Sequence, residues 1–243
     1  MRHITNGPKK RTPSCSLERF DTYSLQKMRS AHRENMKLWR AGSAVPSLSR
    51  PLASLSFKGL SLEGLAAVTA DLPEEVVCLG TQTNTQFLEA LQYHNMPPEV
   101  SSAVYKCSRL FRMLIKRETG QIPKVGVQLG PYQVYPAARE WHRDAATDVD
   151  CGHIVYTFTL LGPPTVFCTN EYGKDDFNGK ALKKEVQPAG PEVFTYGTGI
   201  VAAHDGMTTA HRAPDLAHQG MPRIFLSSTV CYVLADHSGH LTC

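Results

Sequence analysis

His142-Arg143-Asp144 sets an imidazole and a carboxylate two residues apart. On an extended strand residues i and i+2 project to one side, so His142 and Asp144 can offer a nitrogen and an oxygen to a single point. His211, in His211-Arg212-Ala213-Pro214, can bring a second imidazole from a later strand. Two histidines and one carboxylate on one face of an octahedral ion leave the opposite face open to exchangeable ligands. Arg223 opens the apolar run that ends at Leu234, where a guanidinium can grip a ligand carboxylate in bidentate fashion. His204 also follows a strand-like run and competes for the third position; His211 is preferred because its spacing to Arg223 is the shorter.

These residues resemble the signature of the iron(II)- and 2-oxoglutarate-dependent oxygenase superfamily, whose core is a double-stranded β-helix. The likeness rests on His142-x-Asp144, His211 and Arg223, and more loosely on the span from Val125 to Val233. Lys37-Leu38-Trp39-Arg40, Gly162-Pro163-Pro164-Thr165 and His211-Arg212-Ala213-Pro214 are similar to a bacterial family of the same type that brings no catalogued function. The resemblance implies that His142, Asp144 and His211 bind Fe(II), that 2-oxoglutarate and O2 are co-substrates, and that Arg223 pairs with the distal carboxylate of 2-oxoglutarate. Many members carry a hydroxyl residue two positions after the arginine, where this chain has Phe225. Ser227, on the same strand face as Arg223, or Thr165 from another strand is left to complete that carboxylate site. Related halogenases have Gly or Ala where this chain has Asp144, so the carboxylate implies hydroxylation or a kindred C–H oxidation, with succinate and CO2 as co-products.

Arg139, Arg143 and Arg212 add positive charge beside the ligands and suit a small substrate bearing a carboxylate, such as an amino acid. Trp141 and Tyr135 can wall an apolar pocket next to them. His153, His218, His237 and His240 stand in no pattern and are expected to be structural or exposed. Two other classes stay open. A cupin-type metalloenzyme that does not use 2-oxoglutarate would make Arg223 dispensable. A non-catalytic β-scaffold that binds partners through a basic N-terminus would make the metal triad dispensable.

The elements that must hold these residues change character along the chain. Residues 1–23 read as a basic flexible tail, since residues 1–40 hold ten Lys or Arg against three Asp or Glu while the remainder holds sixteen against nineteen. The mildly acidic remainder makes a nucleic-acid partner unlikely to be held in a basic groove. Residues 24–120 read as a helical region packing on the core: Leu25, Met28, His32 and Met36 recur at helical spacing, and Ala44 to Pro51 reads as a loop. Short helices are expected from Ser61 and from Asn84. Pro97-Pro98 opens the clearest helix, with an apolar stripe at Val100, Val104, Cys107, Leu110, Phe111 and Leu114 and a stop at Gly120. Residues 121–243 shift to strand-like runs at 125–129, 133–135, 153–161, 165–168, 192–196, 200–203 and 223–235, punctuated by Gly and Pro. The expected architecture is α+β: a jelly-roll, cupin-like double-stranded β-helix with an N-terminal helical layer, in one integrated domain. The polar stretch from Asn170 to Lys184 reads as a surface loop or a lid.

Composition bounds the rest. No run of about 18 apolar residues is present, so no membrane span is expected. Met1-Arg2-His3-Ile4 starts without an apolar signal core, and the seven cysteines are odd in number with no C-x-x-C pair; both fit a cytoplasmic setting. No oligomeric state is read from the sequence.

Overall fold

A computed structural model describes residues 14–20, 25–58, 61–72, 76–81, 84–133, 136–145 and 151–233. The first half contains β1 (Ser14–Arg19), α1 (Leu25–Arg40), β2 (Val45–Pro46), β3 (Ser49–Lys58), α2 (Leu62–Ala70), β4 (Val76–Thr81), α3 (Asn84–Tyr93), α4 (Pro98–Thr119), β5 (Val125–Pro131) and α5 (Pro136–Arg139). The second half adds β6 (Cys151–Leu161), β7 (Val166–Cys168), β8 (Glu171–Tyr172), β9 (Phe177–Asn178), β10 (Ala181–Leu182), β11 (Val193–Phe194), β12 (Ile200–Asp205), β13 (His211–Arg212) and β14 (Pro222–Val233).

Seven strands form one antiparallel sheet in the order β1-β3-β12-β6-β14-β5-β4. A smaller layer consists of β11-β7-β13, and His142 joins the β9–β10 pair to it by bridging both His211 and Ala181. From β5 onward the chain passes back and forth: β6, β12 and β14 lie in the large sheet, whereas His142, β7, β11 and β13 lie in the small layer. That alternation is consistent with a jelly-roll core.

Helix α4 forms where its sequence demands. Pro98 occupies the first turn, and Gly120 ends the helix at φ 74°, its N–H bonding the Lys116 carbonyl. Its apolar residues Val100, Val104, Cys107, Phe111 and Ile115 share one core with Val127, Phe158 and Leu226 of the large sheet. The Phe111 and Phe158 rings lie 6.4 Å apart. An ion pair between Arg19 and Glu118 ties edge strand β1 to the same helix.

Two differences from the sequence reading have physical causes, and a third falls partly outside the described residues. The span read as tail, loop and helix carries β1, β2, β3 and β4. Ser49–Lys58 lacks clean apolar alternation, yet it is flanked by β1 and β12, which supply its hydrogen bonds and bury Leu52, Ala53 and Leu55. Pro51 has no N–H to give, and it sits where the register with β12 shifts between Val201 and Ala202. In the run 133–135, Gln133 belongs to no strand, and Val134 and Tyr135 lie outside the described residues. Residues 170–184 are built into the small layer rather than laid over it: Tyr172, Phe177 and Leu182 are buried beside Trp39 and Trp141, and the Leu182 N–H bonds the Trp141 carbonyl at 2.8 Å. Lys9-Lys10-Arg11, His237 and His240 lie outside the described residues. No helix among the described residues is long and apolar enough to cross a membrane.

Candidate metal centre

His142 and His211 are far apart in sequence, and backbone pairing brings them side by side. The His142 N–H bonds the His211 carbonyl and the His211 N–H bonds the His142 carbonyl, both at 2.9 Å. Residues that exchange both hydrogen bonds in an antiparallel pair carry their side chains on the same face, and the two imidazole centroids are 4.5 Å apart. Asp144, two residues on from His142, turns to that face as well. Ligand atoms of His142, Asp144 and His211 all lie within 4.8 Å of one another, a group that can hold one metal ion.

The hydrogen bonds fix which nitrogen faces the site. His142 Nδ1–H donates to the Glu140 carbonyl at 2.8 Å and His211 Nδ1–H to the Thr209 carbonyl at 3.3 Å. Each ring therefore presents Nε2, the usual way a protein sets the tautomer of a ligating histidine. Asp144 Oδ2 lies 3.5 Å from His211 Nε2. Two neutral-capable imidazoles and one carboxylate suit Fe(II) and similar divalent ions.

Burial alone would raise the Asp144 carboxyl, but the nearby His211 charge and hydrogen bonds from His204 and His211 hold it well below the usual carboxylate range. Burial would lower His211, and the Asp144 charge and hydrogen bond outweigh it and raise that imidazole. His142 is pushed down by burial and by the neighbouring His211.

His204, the competing ligand in the sequence, takes a different place. Fully buried at the end of β12, it donates its Nε2–H to Asp144 Oδ2 at 2.9 Å. Its Nδ1 is buried without a hydrogen-bond partner among the described residues, and Phe167 packs against the ring at 5.2 Å. Its one hydrogen bond thus orients the carboxylate. Partners of this kind typically change metal affinity about 10–100-fold when removed. Accordingly, His204→Leu should weaken Fe(II) binding by about that factor in an anaerobic titration, while His204→Gln, which keeps an N–H at similar reach, restores most of it. A Leu variant that binds Fe(II) like the parent would show that the contact orients nothing.

The triad opens into a cavity of about 280 Å³ between the two layers. Arg223, Thr165 and Ser227 line the same cavity, with Gln128, Thr157 and Thr229. Arg223 is buried at 5% exposure, donates Nε–H to the Pro163 carbonyl at 3.0 Å, and stacks over the rings of Tyr132 and Phe225 at 4.9 and 4.3 Å. Phe225, two positions after Arg223, supports the guanidinium by a cation–π contact. Gly162 at φ 82° permits the approach, since a Cβ there would come within 2.4 Å of the Pro222 carbonyl oxygen.

The expected substrate contacts divide. The alternation that turns His142 and Asp144 inward sends their neighbours to the other face. Arg143 is 3% exposed, donates twice to the Gly179 carbonyl, and lies over the rings of Trp39 and Phe177. Trp141 is buried with Trp39, Phe177 and Leu182. Neither lines the metal cavity; both brace the small layer behind it. Arg212 does line the cavity, paired with Asp215 and stacked over Trp141 at 5.2 Å. Arg139 is exposed and lines a separate pocket beyond Arg212. Tyr135 lies outside the described residues. His153, expected to be structural or exposed, is partly buried and faces Cys231 Sγ at 3.4 Å across β6 and β14.

A buried strap that no sequence motif announces lies directly behind the site. Asp205, next to His204 on β12, is 1% exposed and accepts from His32 Nδ1–H of α1 at 2.5 Å, from the Met207 N–H at 2.8 Å and from Thr208 Oγ1–H at 2.9 Å. Thr209 continues the strap through hydrogen bonds to both the N–H and the carbonyl of Leu48. The segment running from His204 to His211 is therefore anchored to α1 and to the approach to β3.

No family model and no curated protein matches the chain. Among solved structures it is similar to a rice dioxygenase for auxin oxidation, at 10% identity and a TM-score of 0.38 over 92% of this chain and 74% of that one. It is also similar to a Caulobacter crescentus protein described as one of the 2OG-Fe(II) oxygenase family, at 12% identity and a TM-score of 0.31 over 91% and 78%. At that level neither neighbour assigns a residue or a substrate to this chain.

Proposed function

We propose that this chain is a non-heme Fe(II)- and 2-oxoglutarate-dependent oxygenase with a double-stranded β-helix core and helices packed outside it. The observation that carries the reading is a single cavity lined at once by a convergent His-Asp-His group and by a buried arginine. One integrated domain is supported by the order of the large sheet, in which strands from both ends of the chain interleave. When bound, iron, 2-oxoglutarate and O2 supply C–H oxidation, releasing succinate and CO2.

The chain's own residues have separable tasks. His142 and His211 present Nε2 because backbone carbonyls hold Nδ1–H. Asp144 supplies the carboxylate, and its presence favours hydroxylation or a kindred oxidation over halogenation. Arg223 grips the distal carboxylate of 2-oxoglutarate, with the hydroxyls of Thr165 and Ser227 completing that end of the cavity. Arg212 at the rim meets a small substrate that carries a carboxylate.

The test is anaerobic addition of Fe(II) and 2-oxoglutarate with a search for a visible metal-to-ligand charge-transfer band. Wild type should give the band and His142→Ala should lose it. Arg223→Ala should need on the order of a hundredfold more 2-oxoglutarate, because charge-assisted hydrogen bonds contribute about 1.5–3 kcal/mol each. A band indifferent to Arg223 would instead favour a cupin-type enzyme that does not use 2-oxoglutarate.

A further inference from the structure

We propose that the pocket beyond Arg212 is a second subsite of the active site, and that it takes the non-reacting end of an amphipathic acid longer than a free amino acid. The proposal rests on the oxygenase reading for what happens in the inner cavity, and on separate observations for the outer one.

The inner cavity, at about 280 Å³, falls just below the roughly 300–1,000 Å³ typical of ligand pockets. The metal ligands and the Arg223 end claim much of its wall. The outer pocket encloses about 300 Å³ more and is lined by Arg139, Arg212, Pro214, Asp215, Leu216 and Ala217. Arg212 lines both spaces and is the partition between them.

Charge and apolar surface are arranged for one kind of molecule. Asp215 is committed to Arg212 through its ion pair, and the Arg212 charge holds that carboxyl below its usual range. Arg139 is exposed and has no ion-pair partner among the described residues. Arg212 Nε is buried and has no hydrogen-bond partner among the described residues, so its N–H can answer an acceptor on a ligand. Beside these cationic groups lie Pro214, Ala217 and Leu216, the last 51% exposed. A carboxylate answers Arg139 and Arg212 Nε, and a hydrocarbon body covers Leu216 and Pro214.

The pocket is also preformed. The Ala213 N–H bonds the Ala138 carbonyl at 2.8 Å, Tyr132 Oη–H donates to the Pro214 carbonyl at 3.0 Å, and the Gly220 N–H bonds the Tyr132 carbonyl at 2.9 Å. The 213–220 rim is thereby tied at one end to α5 and at the other to Tyr132, just after β5, so little ordering is left for a ligand to impose.

Trp141 lies against Arg212 and reports on it. Metal-free protein is titrated with octanoate, butanoate and octan-1-ol while Trp141 emission is followed, with Trp141→Phe as the control for signal from Trp39. Octanoate should bind at least tenfold tighter than either butanoate or octan-1-ol. Arg139→Gln should weaken octanoate about tenfold and leave octan-1-ol unchanged, and Leu216→Ser should narrow the gap between octanoate and butanoate. Equal affinities for octanoate and octan-1-ol, or octanoate binding that is lost in Arg223→Ala but kept in Arg139→Gln, would overturn the assignment. A charge-transfer band without octanoate selectivity overturns the outer subsite and leaves the oxygenase reading standing. Selectivity without a band keeps the acid site and overturns that reading.

Discussion

His211→Ala is expected to weaken Fe(II) binding by a hundredfold or more while leaving the protein folded. A four-ligand zinc site is worth on the order of 10–16 kcal/mol, so one imidazole accounts for about 3 kcal/mol, which is more than a hundredfold in Kd. The fold should survive because removing this ring leaves the His142–His211 backbone hydrogen bonds in place. Affinity in the parent should also depend on pH with a definite sign. Burial pulls His211 down, but contact with Asp144 lifts it above the ordinary imidazole value, and a proton on Nε2 occupies the position that a metal needs. Below that raised value, Fe(II) or Co(II) affinity should fall about tenfold per pH unit, with one proton released on binding. Anaerobic calorimetry in two buffers of different ionisation enthalpy measures both quantities. Unchanged metal affinity in His211→Ala would remove this histidine from the ligand set and return His204 to contention.

The second large effect concerns stability. Asp205→Ala should cost on the order of 3–5 kcal/mol, because it strips the partner from His32 and strands the Met207 N–H and the Thr208 hydroxyl in a dry interior. Urea denaturation at neutral pH reads this directly. Burial would raise the Asp205 carboxyl, but His32, the Met207 N–H and the Thr208 hydroxyl keep its folded value below the ordinary one. Its contribution is therefore complete above the unfolded value of about 3.9 and is lost as pH falls toward the lower folded value. The difference between wild type and Asp205→Ala should accordingly shrink in acid. A loss of less than about 1 kcal/mol at neutral pH would mean that the carboxylate is not the strap that its contacts imply.

The residues with chemistry were easier to read than the scaffold around them. Metal ligation restricts residue type severely, and alternation on a strand says that His142 and Asp144 face one way; the fold brings those two and His211 within reach of one ion. The same alternation, applied one position either side, would have turned Trp141 and Arg143 away from the cavity. His32 was legible only as one more member of an amphipathic stripe, since its partner lies 173 residues away. Strand β3 was hidden for a related reason: Ser-Arg-Pro-Leu-Ala-Ser-Leu-Ser has little intrinsic preference, and neighbours on both edges decide its conformation.

The strap between Leu48 and Thr209 joins residues 161 positions apart, and β3 pairs with β12 across a comparable length of chain. During synthesis β3 must therefore wait, with one edge unsatisfied, until β12 has been made. Pairing over so long a stretch of chain favours slow folding. Excising the later strands as a minimal catalytic fragment would leave the β12 edge bare and sticky, so such a fragment should aggregate rather than fold.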